Sequence, residues 1–175
     1  GSHDQFIYNA TTGVTTNITD PSTLLDARNF TNEAYPFATH SNGDLYTFWT
    51  ERDGANGAYD VFLYNITTST RTNISDPLTT GGTTRVKYGN NGAGDLYLAW
   101  AENGAVNGAT DQFLYNVATS TRINISDPAT TGHGYYGTFA LDASGDLHYA
   151  WTEAGAPNGT EDAYYYNIST STRTN

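Results

Sequence analysis

Short apolar runs, separated by clusters of Gly, Asn, Asp and Pro, dominate the hydrophobic pattern of the chain. No segment shows helical periodicity, and the many Gly, Asn and β-branched residues disfavour helix. The clearest run places Leu45 and Trp49 on one face of a strand and Tyr46 and Phe48 on the other. Because side chains of a strand alternate between its two faces, this strand is predicted to be buried on both sides. The pattern therefore predicts an all-β fold with sheets packed face to face.

An internal repeat organises these strands. The segment Asp60–Asn65 returns as Asp111–Asn116 and as Asp162–Asn167, and a related segment, Asp4–Asn9, precedes them. The step is 51 residues from 60 to 111 and from 111 to 162, but 56 residues from 4 to 60. We expect the additional five residues in the loop around Leu24–Asn32.

Each repeat is predicted to hold four strands, called a, b, c and d. In the second copy they are Thr84–Asn90, Asp95–Glu102, Asp111–Ala118 and Thr121–Ser126. Strand d ends at an Asp-Pro pair, because proline cannot donate a ladder hydrogen bond. Short antiparallel strands, a period of about 50 residues and one Trp per period are typical of a β-propeller. A β-sandwich is the alternative, but it gives no reason for the repeat.

The segment Ser41–Asn65 carries a resemblance to a known family. It runs from a strand through an acidic, Gly-rich loop into a strand that reads Asp-Val-Phe-Leu-Tyr, and so resembles the repeat of TolB-type propellers. It is more weakly similar to sialidase-type propeller repeats. The resemblance covers nearly the whole chain past residue 3 and implies propeller blades. Such families include partner-binding scaffolds, surface proteins and hydrolase accessory domains, so the fold alone leaves the function open.

The blade count predicts association between copies. Residues 1–3 look like the remnant of a cleaved purification tag. The remaining units are a half blade of strands c and d at 4–19, and blades at 30–75, 81–126 and 135–175, the last with a clipped outer strand. This makes about 3.5 blades, each of about 51 residues, whereas closed propellers usually have about four to eight.

Exposed end faces and unpaired strand edges promote association. We therefore expect an excerpt of a longer repeat protein, or an engineered piece of one, whose copies assemble into a ring, with a homodimer as the first expectation. The alternative is one chain that closes alone as a small four-bladed ring lacking two strands.

Composition narrows the range of partners and cofactors. The chain has 7 Lys and Arg against 18 Asp and Glu, for a net charge of −11, which argues against a nucleic-acid partner. Its apolar runs are too short for membrane insertion. It has no Cys, and no two His have metal-ligand spacing, so neither metal nor cofactor is expected. Eight Asn-x-Ser/Thr sequons favour an extracellular or cell-surface location, although copying one hairpin also multiplies them.

The acidic b–c loops could offer oxygen ligands to calcium. Their spacing does not match the known twelve-residue calcium loop. The favoured interpretation is structural turns, with Asp60, Asp111 and Asp162 bonding turn amides.

A sialidase-like active site would need an arginine cluster and a Tyr/Glu pair. Arg71, Arg122 and Arg173 occupy one repeat position on an outer strand, so they cannot converge on the propeller axis. Glu51, Glu102 and Glu153 are likewise equivalent to one another. A site usually breaks the symmetry of a repeat, so no catalytic residue and no enzyme are expected.

Residues that differ between copies are the better candidates for ligand binding, and they lie in strand a and the loop before it. They are Glu33, Tyr35, Arg85, Lys87, His133, Tyr135 and Tyr136. Arg85 and Lys87 could hold an anionic ligand or balance carboxylates in the central channel, and the second role is favoured.

The aromatic positions shared by all copies are expected to form the repeat core. They are Trp49, Trp100, Trp151, Tyr64, Tyr115 and Tyr166. The favoured function is a non-catalytic structural or binding scaffold. Its expected partners are further copies of the same chain and a protein or glycan ligand. The alternatives are a carbohydrate-binding propeller in which aromatic residues stack on sugars between blades, and, least favoured, a hydrolase.

Overall fold

The computed structural model describes residues 3–19, 27–28, 36–52, 57–75, 81–103, 109–126, 132–154 and 160–175. These residues form fifteen β-strands and no helix. The strands are β1 (Phe6–Asn9), β2 (Val14–Asn17), β3 (Ala27–Arg28), β4 (Phe37–Thr39), β5 (Leu45–Arg52), β6 (Tyr59–Asn65), β7 (Thr70–Asn73), β8 (Thr83–Asn90), β9 (Leu96–Asn103), β10 (Thr110–Asn116), β11 (Thr121–Asn124), β12 (Gly134–Leu141), β13 (Leu147–Ala154), β14 (Glu161–Asn167) and β15 (Thr172–Thr174). None of these residues lies in a helix long and apolar enough to cross a membrane.

The strands form four antiparallel sheets in chain order. Sheet I pairs β1 with β2, sheet III has the order β8-β9-β10-β11, and sheet IV has the order β12-β13-β14-β15. In sheet II, β5, β6 and β7 follow the same path, while both β3 and β4 pair with β5. The four strands predicted for the second repeat therefore form sheet III, with ends within two residues of those expected. The all-β prediction is confirmed.

The register of strands b and c is the same in every complete repeat. Trp49 lies opposite Phe62, Trp100 opposite Phe113 and Trp151 opposite Tyr164. The ring centroids of these three pairs are 5.9, 6.1 and 5.7 Å apart. Directly opposite residues share a sheet face, so sheets II, III and IV each carry an aromatic pair on one face. Most of the insertion predicted around residues 24–32 falls outside the described residues.

Apolar layers between successive sheets form the core. Between sheets I and II lie Ile18, Ala27, Trp49, Phe62 and Tyr64. Between sheets II and III lie Ala38, Tyr46, Phe48, Val61, Leu63, Ile74, Val86, Leu96, Leu98, Trp100, Phe113 and Tyr115. Between sheets III and IV lie Tyr97, Ala99, Leu114, Ile125, Leu147, Tyr149, Trp151, Tyr164 and Tyr166. The tryptophan face of each complete sheet thus packs against the preceding sheet, so the sheets stabilise one another.

The a–b turns add polar contacts between sheets. Ser41 in the turn of sheet II donates a hydrogen bond to Asp95 in the turn of sheet III, with a distance of 2.9 Å. The backbone N–H of Gly92 donates to the carbonyl of Gly145 in the next turn, at 2.8 Å. These turns therefore fix the relative position of the sheets at one end.

Candidate functional site

The repeat glutamates are buried in a structural unit. The indole N–H of Trp49 donates to Glu51 at 3.0 Å, and the same bond recurs in the next two repeats at 2.9 and 3.0 Å. The three glutamates are Glu51, Glu102 and Glu153, and each is at most 1% exposed. Arg71 donates to Glu51 at 3.0 Å. Each of these carboxylates therefore accepts a hydrogen bond from a tryptophan of its own blade.

The repeat arginines lie on the edge strands β7, β11 and β15, each over an aromatic ring of its own sheet. The guanidinium carbons of Arg71, Arg122 and Arg173 lie 3.8, 4.9 and 5.4 Å from the centroids of Phe62, Phe113 and Tyr164. These distances are typical of cation–π contacts. The arginines therefore belong to three separate blades, as the repeat spacing predicts.

The aspartates that begin strand c bond to strand d. Asp60 accepts a hydrogen bond from Asn73 at 2.9 Å, and Asp111 accepts one from Asn124 at 2.6 Å. The side-chain oxygens of both Asn residues also accept backbone N–H groups two residues further on, at 3.0 and 2.9 Å. Within the described residues, no group of three or more His, Asp or Glu side chains is placed to hold a metal ion. The central residues of the b–c loops, 53–56, 104–108 and 155–159, lie outside the described residues.

Several residues that break the repeat meet at the start of strand a. Arg85 on β8 and Tyr136 on β12 occupy equivalent positions, 51 residues apart. Both have positive φ angles, 60° and 54°, a region that bulky residues rarely adopt. The strand register shifts at the same two places, between Thr84 and Lys87 and between Tyr135 and Thr138. β8 and β12 therefore each carry a bulge, and the bulge redirects one side chain.

The bulges bring Arg85 against two tyrosines of the next sheet. Its guanidinium carbon lies 4.3 Å from the ring centroid of Tyr136 and 5.1 Å from that of Tyr135. The ring of His133 lies 5.8 Å from that of Tyr135, and its Nδ1 is 2.8 Å from the hydroxyl oxygen of Thr110. Lys87 lies beyond the bulge on β8, in register with Ala99.

Two of the predicted ligand-binding residues, Glu33 and Tyr35, lie outside the described residues. The sequence could not show the contact between Arg85 and Tyr136, because a bulge reverses the expected alternation of strand faces. The aromatic residues shared by all copies, including Tyr64 and Tyr115, lie in the layers between sheets. Each of them is at most 8% exposed.

Two equivalent grooves open between successive sheets near the c–d hairpins. Their volumes are about 190 and 200 Å³. The first is lined by Tyr46, Leu63, Asn65, Thr68, Thr70, Thr72, Tyr115, Val117 and Ser120. The second is lined by Tyr97, Leu114, Asn116, Thr121, Ile123, Tyr166, Ile168 and Ser171. Both combine an apolar surface with tyrosine, amide and hydroxyl groups.

The outer faces of the first and last sheets are open. On sheet I, Phe6 and Tyr8 are 59% and 64% exposed. On the far side of sheet IV, Ala150 and Ala163 are exposed and Tyr165 is 43% exposed. The equivalent positions of the other sheets are buried, because a neighbouring sheet covers them. Examples are Phe62 and Tyr64 in sheet II and Ala99 and Leu114 in sheet III.

Four-stranded antiparallel meanders that repeat along the chain and pack face to face are the blades of a β-propeller. This is the class to which the chain belongs.

Solved propellers share this fold. TolB from Acinetobacter baumannii matches 97% of this chain with a TM-score of 0.50 and 11% sequence identity. A fucose lectin from Kordia zhangzhouensis, in complex with methyl-fucoside, matches 75% of this chain, and the match covers 91% of the lectin chain. The TM-score is 0.51 and the sequence identity is 10%. The chain spans 36% of the length of that TolB. No family model and no curated protein matches it.

Proposed function

We propose that the protein is a non-catalytic β-propeller scaffold whose copies join through their open end faces into a closed ring. The single observation that carries this proposal is the exposure of Phe6 and Tyr8, at 59% and 64%. Their equivalents in the following sheet, Phe62 and Tyr64, are only 4% and 8% exposed, because a preceding sheet covers them. The first end face therefore presents the aromatic positions that every other sheet buries.

The second end face presents the complementary surface. In sheet III, Ala99, Gln112 and Leu114 are at most 3% exposed because sheet IV covers them. The equivalent residues of sheet IV are Ala150, Ala163 and Tyr165, and all three are exposed. A second copy that places its sheet I on this surface would reproduce the packing that already joins sheets II, III and IV.

The edge of sheet I supports the same association. In the other sheets strand c pairs with strand d on one side and strand b on the other. Among the described residues, β1 pairs only with β2, which leaves one row of its backbone groups at a sheet edge. Such an edge favours pairing with another chain. Because the two end faces differ, the contact is head to tail, and it produces a ring when the rotation closes.

The measurement that tests this proposal is the mass of the purified chain over a wide concentration range. We expect native mass spectrometry and light scattering to give one fixed oligomer, and negative-stain images to show closed rings. A monomer at every concentration would contradict association. A continuous series of sizes, typical of an open filament, would contradict the closed ring.

The hydrogen bonds of the repeat glutamates support the non-catalytic part of the proposal. Glu51, Glu102 and Glu153 are bonded to tryptophan side chains and follow the repeat without variation. We expect no turnover of fluorogenic glycosides above a buffer blank. Turnover that persists through further purification and is lost in one point variant would overturn this part.

The two equivalent grooves favour a second candidate, glycan binding. Each places a tyrosine beside an amide, as in the 3.1 Å hydrogen bond from Asn116 to the hydroxyl of Tyr97. Tyrosine rings beside amide and hydroxyl groups suit a sugar ring, and the solved fucose lectin has a similar fold. A glycan array, followed by titration with methyl-fucoside, tests this candidate, and the absence of any saturable binding would exclude it.

A further inference from the structure

Arg85, which contacts Tyr135 and Tyr136 at the start of strand a, has an unpaired hydrogen-bond donor. The Nη1 atom of Arg85 is buried and has no hydrogen-bond acceptor among the residues that the structure describes. A buried guanidinium N–H without an acceptor is unfavourable, because it has lost its hydrogen bonds to water and has no acceptor in their place. The chain has 18 acidic residues against 7 Lys and Arg, yet none of the described ones bonds this atom.

The backbone of Arg85 has an unfavourable conformation. Its φ of 60° and the φ of 54° at Tyr136 are unfavourable for such side chains. Both occur at the bulges of β8 and β12, and the two side chains stack, with the guanidinium carbon 4.3 Å from the ring centroid. Backbone strain of this kind is concentrated at binding sites. The cluster therefore combines strain, a stacked cation and an unpaired donor.

We infer that Arg85 and Tyr136 bind a small carboxylate that carries a flat apolar group. A guanidinium presents a planar fork of N–H donors that matches the two oxygens of a carboxylate. The ring of Tyr136 is 73% exposed, so it offers a surface on which a flat group can stack. The net charge of −11 repels ligands with several negative charges, which favours a monoanion over a phosphate ester or a nucleic acid.

This site is separate from the open end faces, because Arg85 of sheet III contacts Tyr136 on the side of sheet IV that faces sheet III. The open end face is the opposite side of sheet IV, with Ala150, Ala163 and Tyr165. Ring formation can therefore fail while the carboxylate site stands, and the reverse also holds.

Benzoate is the probe for the test, with benzamide as its neutral counterpart and inorganic phosphate as a second anion. Saturation-transfer NMR observes each organic probe on the unmodified chain, whatever its assembly state. We expect saturable benzoate binding with a dissociation constant of about 1 mM, as a partly screened single charge pair implies. We expect benzamide to bind at least about tenfold more weakly, and phosphate not to displace benzoate.

Two variants localise the binding. R85Q should abolish benzoate binding. The matched control is R173Q, which removes a positive charge from another arginine that lies over a tyrosine ring, with its guanidinium carbon 5.4 Å from the Tyr164 centroid. R173Q should bind benzoate like the unmodified chain. Equal binding of benzoate and benzamide, or benzoate binding retained in R85Q, would overturn the inference. If R85Q does not fold, a change in the Arg85 Nε–H resonance of the unmodified chain on adding benzoate decides instead, and the absence of that change would overturn the inference.

Discussion

The indole N–H of Trp100 donates a hydrogen bond to Oε2 of Glu102, 2.9 Å away, and both side chains are fully buried. The carboxylate also faces Arg122, whose Nη1 lies 3.9 Å from the same oxygen. Burying a carboxylate is unfavourable unless it is paired and hydrogen-bonded. The unit joins strand b to strand d within one blade. The Trp–Glu bond recurs in all three complete repeats, and Arg71 contacts Glu51 in the same way in sheet II.

We predict that E102A lowers the free energy of unfolding by about 1 to 3 kcal/mol, because it leaves the buried Trp100 N–H without its acceptor. E102Q should lose less, since its amide oxygen can still accept that bond. Urea unfolding monitored by tryptophan fluorescence measures both changes.

The matched control is E161A, which removes an exposed glutamate from β14. It should change stability by less than about 0.5 kcal/mol. A result in which E102A is as stable as E161A would show that the bond between Trp100 and Glu102 contributes nothing to stability.

The sequence predicted more of the fold than of the sites. The 51-residue step and the two-faced apolar pattern of Leu45–Trp49 were sufficient to predict stacked sheets, because periodicity and burial are local properties of a strand. The Trp-x-Glu pair is also visible in each copy. However, charge alone does not reveal that Glu102 is buried, and so the Trp–Glu–Arg unit was not predicted.

The contact between Arg85 and Tyr136 could not be predicted for a different reason. It depends on two bulges, and a bulge shifts the register by one residue without a clear sequence signal. Its residues were recognised only as positions that vary between repeats. The open faces around Phe6 and Tyr165 could be predicted, because the repeat shows how many strands each end of the chain contributes.

Asp142 in the last a–b turn gives a prediction about pH. A hydrogen bond from Ser144 and one with His148 are the main reasons why the pKa of Asp142 lies at about 2, below the ordinary 3.8. We expect S144A to raise this pKa towards 3.8, as followed by the carboxyl carbon shift in an NMR titration.

The sign of the stability effect follows from this pKa. Because folding lowers the pKa, the turn is stabilised above pH 3.8, and this contribution is lost as the pH falls to about 2. The control S169A removes the donor to Asp146, 2.7 Å away, and should leave the titration of Asp142 unchanged. An Asp142 pKa that is equal in S144A and in the unmodified chain would contradict this explanation.

Gly94 gives a prediction about the turn backbone. Its φ is 85°, like the 87° of its equivalents Gly43 and Gly145. A Cβ at this position would come no closer than 3.4 Å to its neighbours, so the cost of a substitution comes from the backbone and not from a clash. We expect G94A to destabilise the protein by about 1 to 2 kcal/mol, measured by urea unfolding.

G94N is the comparison variant, because asparagine tolerates positive φ better than alanine does. It should recover part of the stability that G94A loses. Equal stability of the alanine variant and the unmodified chain would show that the turn accommodates alanine by changing its conformation.

The two end faces give the last prediction. Replacing both Phe6 and Tyr8 by serine should weaken association at least about a hundredfold, since burial of each aromatic side chain contributes about 1.5 to 3 kcal/mol. Analytical ultracentrifugation measures the dissociation constant. The control F37S replaces another phenylalanine, 53% exposed on β4, and should leave association unchanged.

Mixing variants tests whether the contact is head to tail. We expect a charged substitution on the far face of sheet IV, A150E, to block association as the double serine variant does. A mixture of the two variants still contains one intact pair of faces, the sheet IV face of the serine variant and the sheet I face of A150E. The mixture should therefore form open heterodimers and no ring. Heterodimers that fail to form, while each variant remains folded, would show that sheet I of one copy does not pack on sheet IV of another.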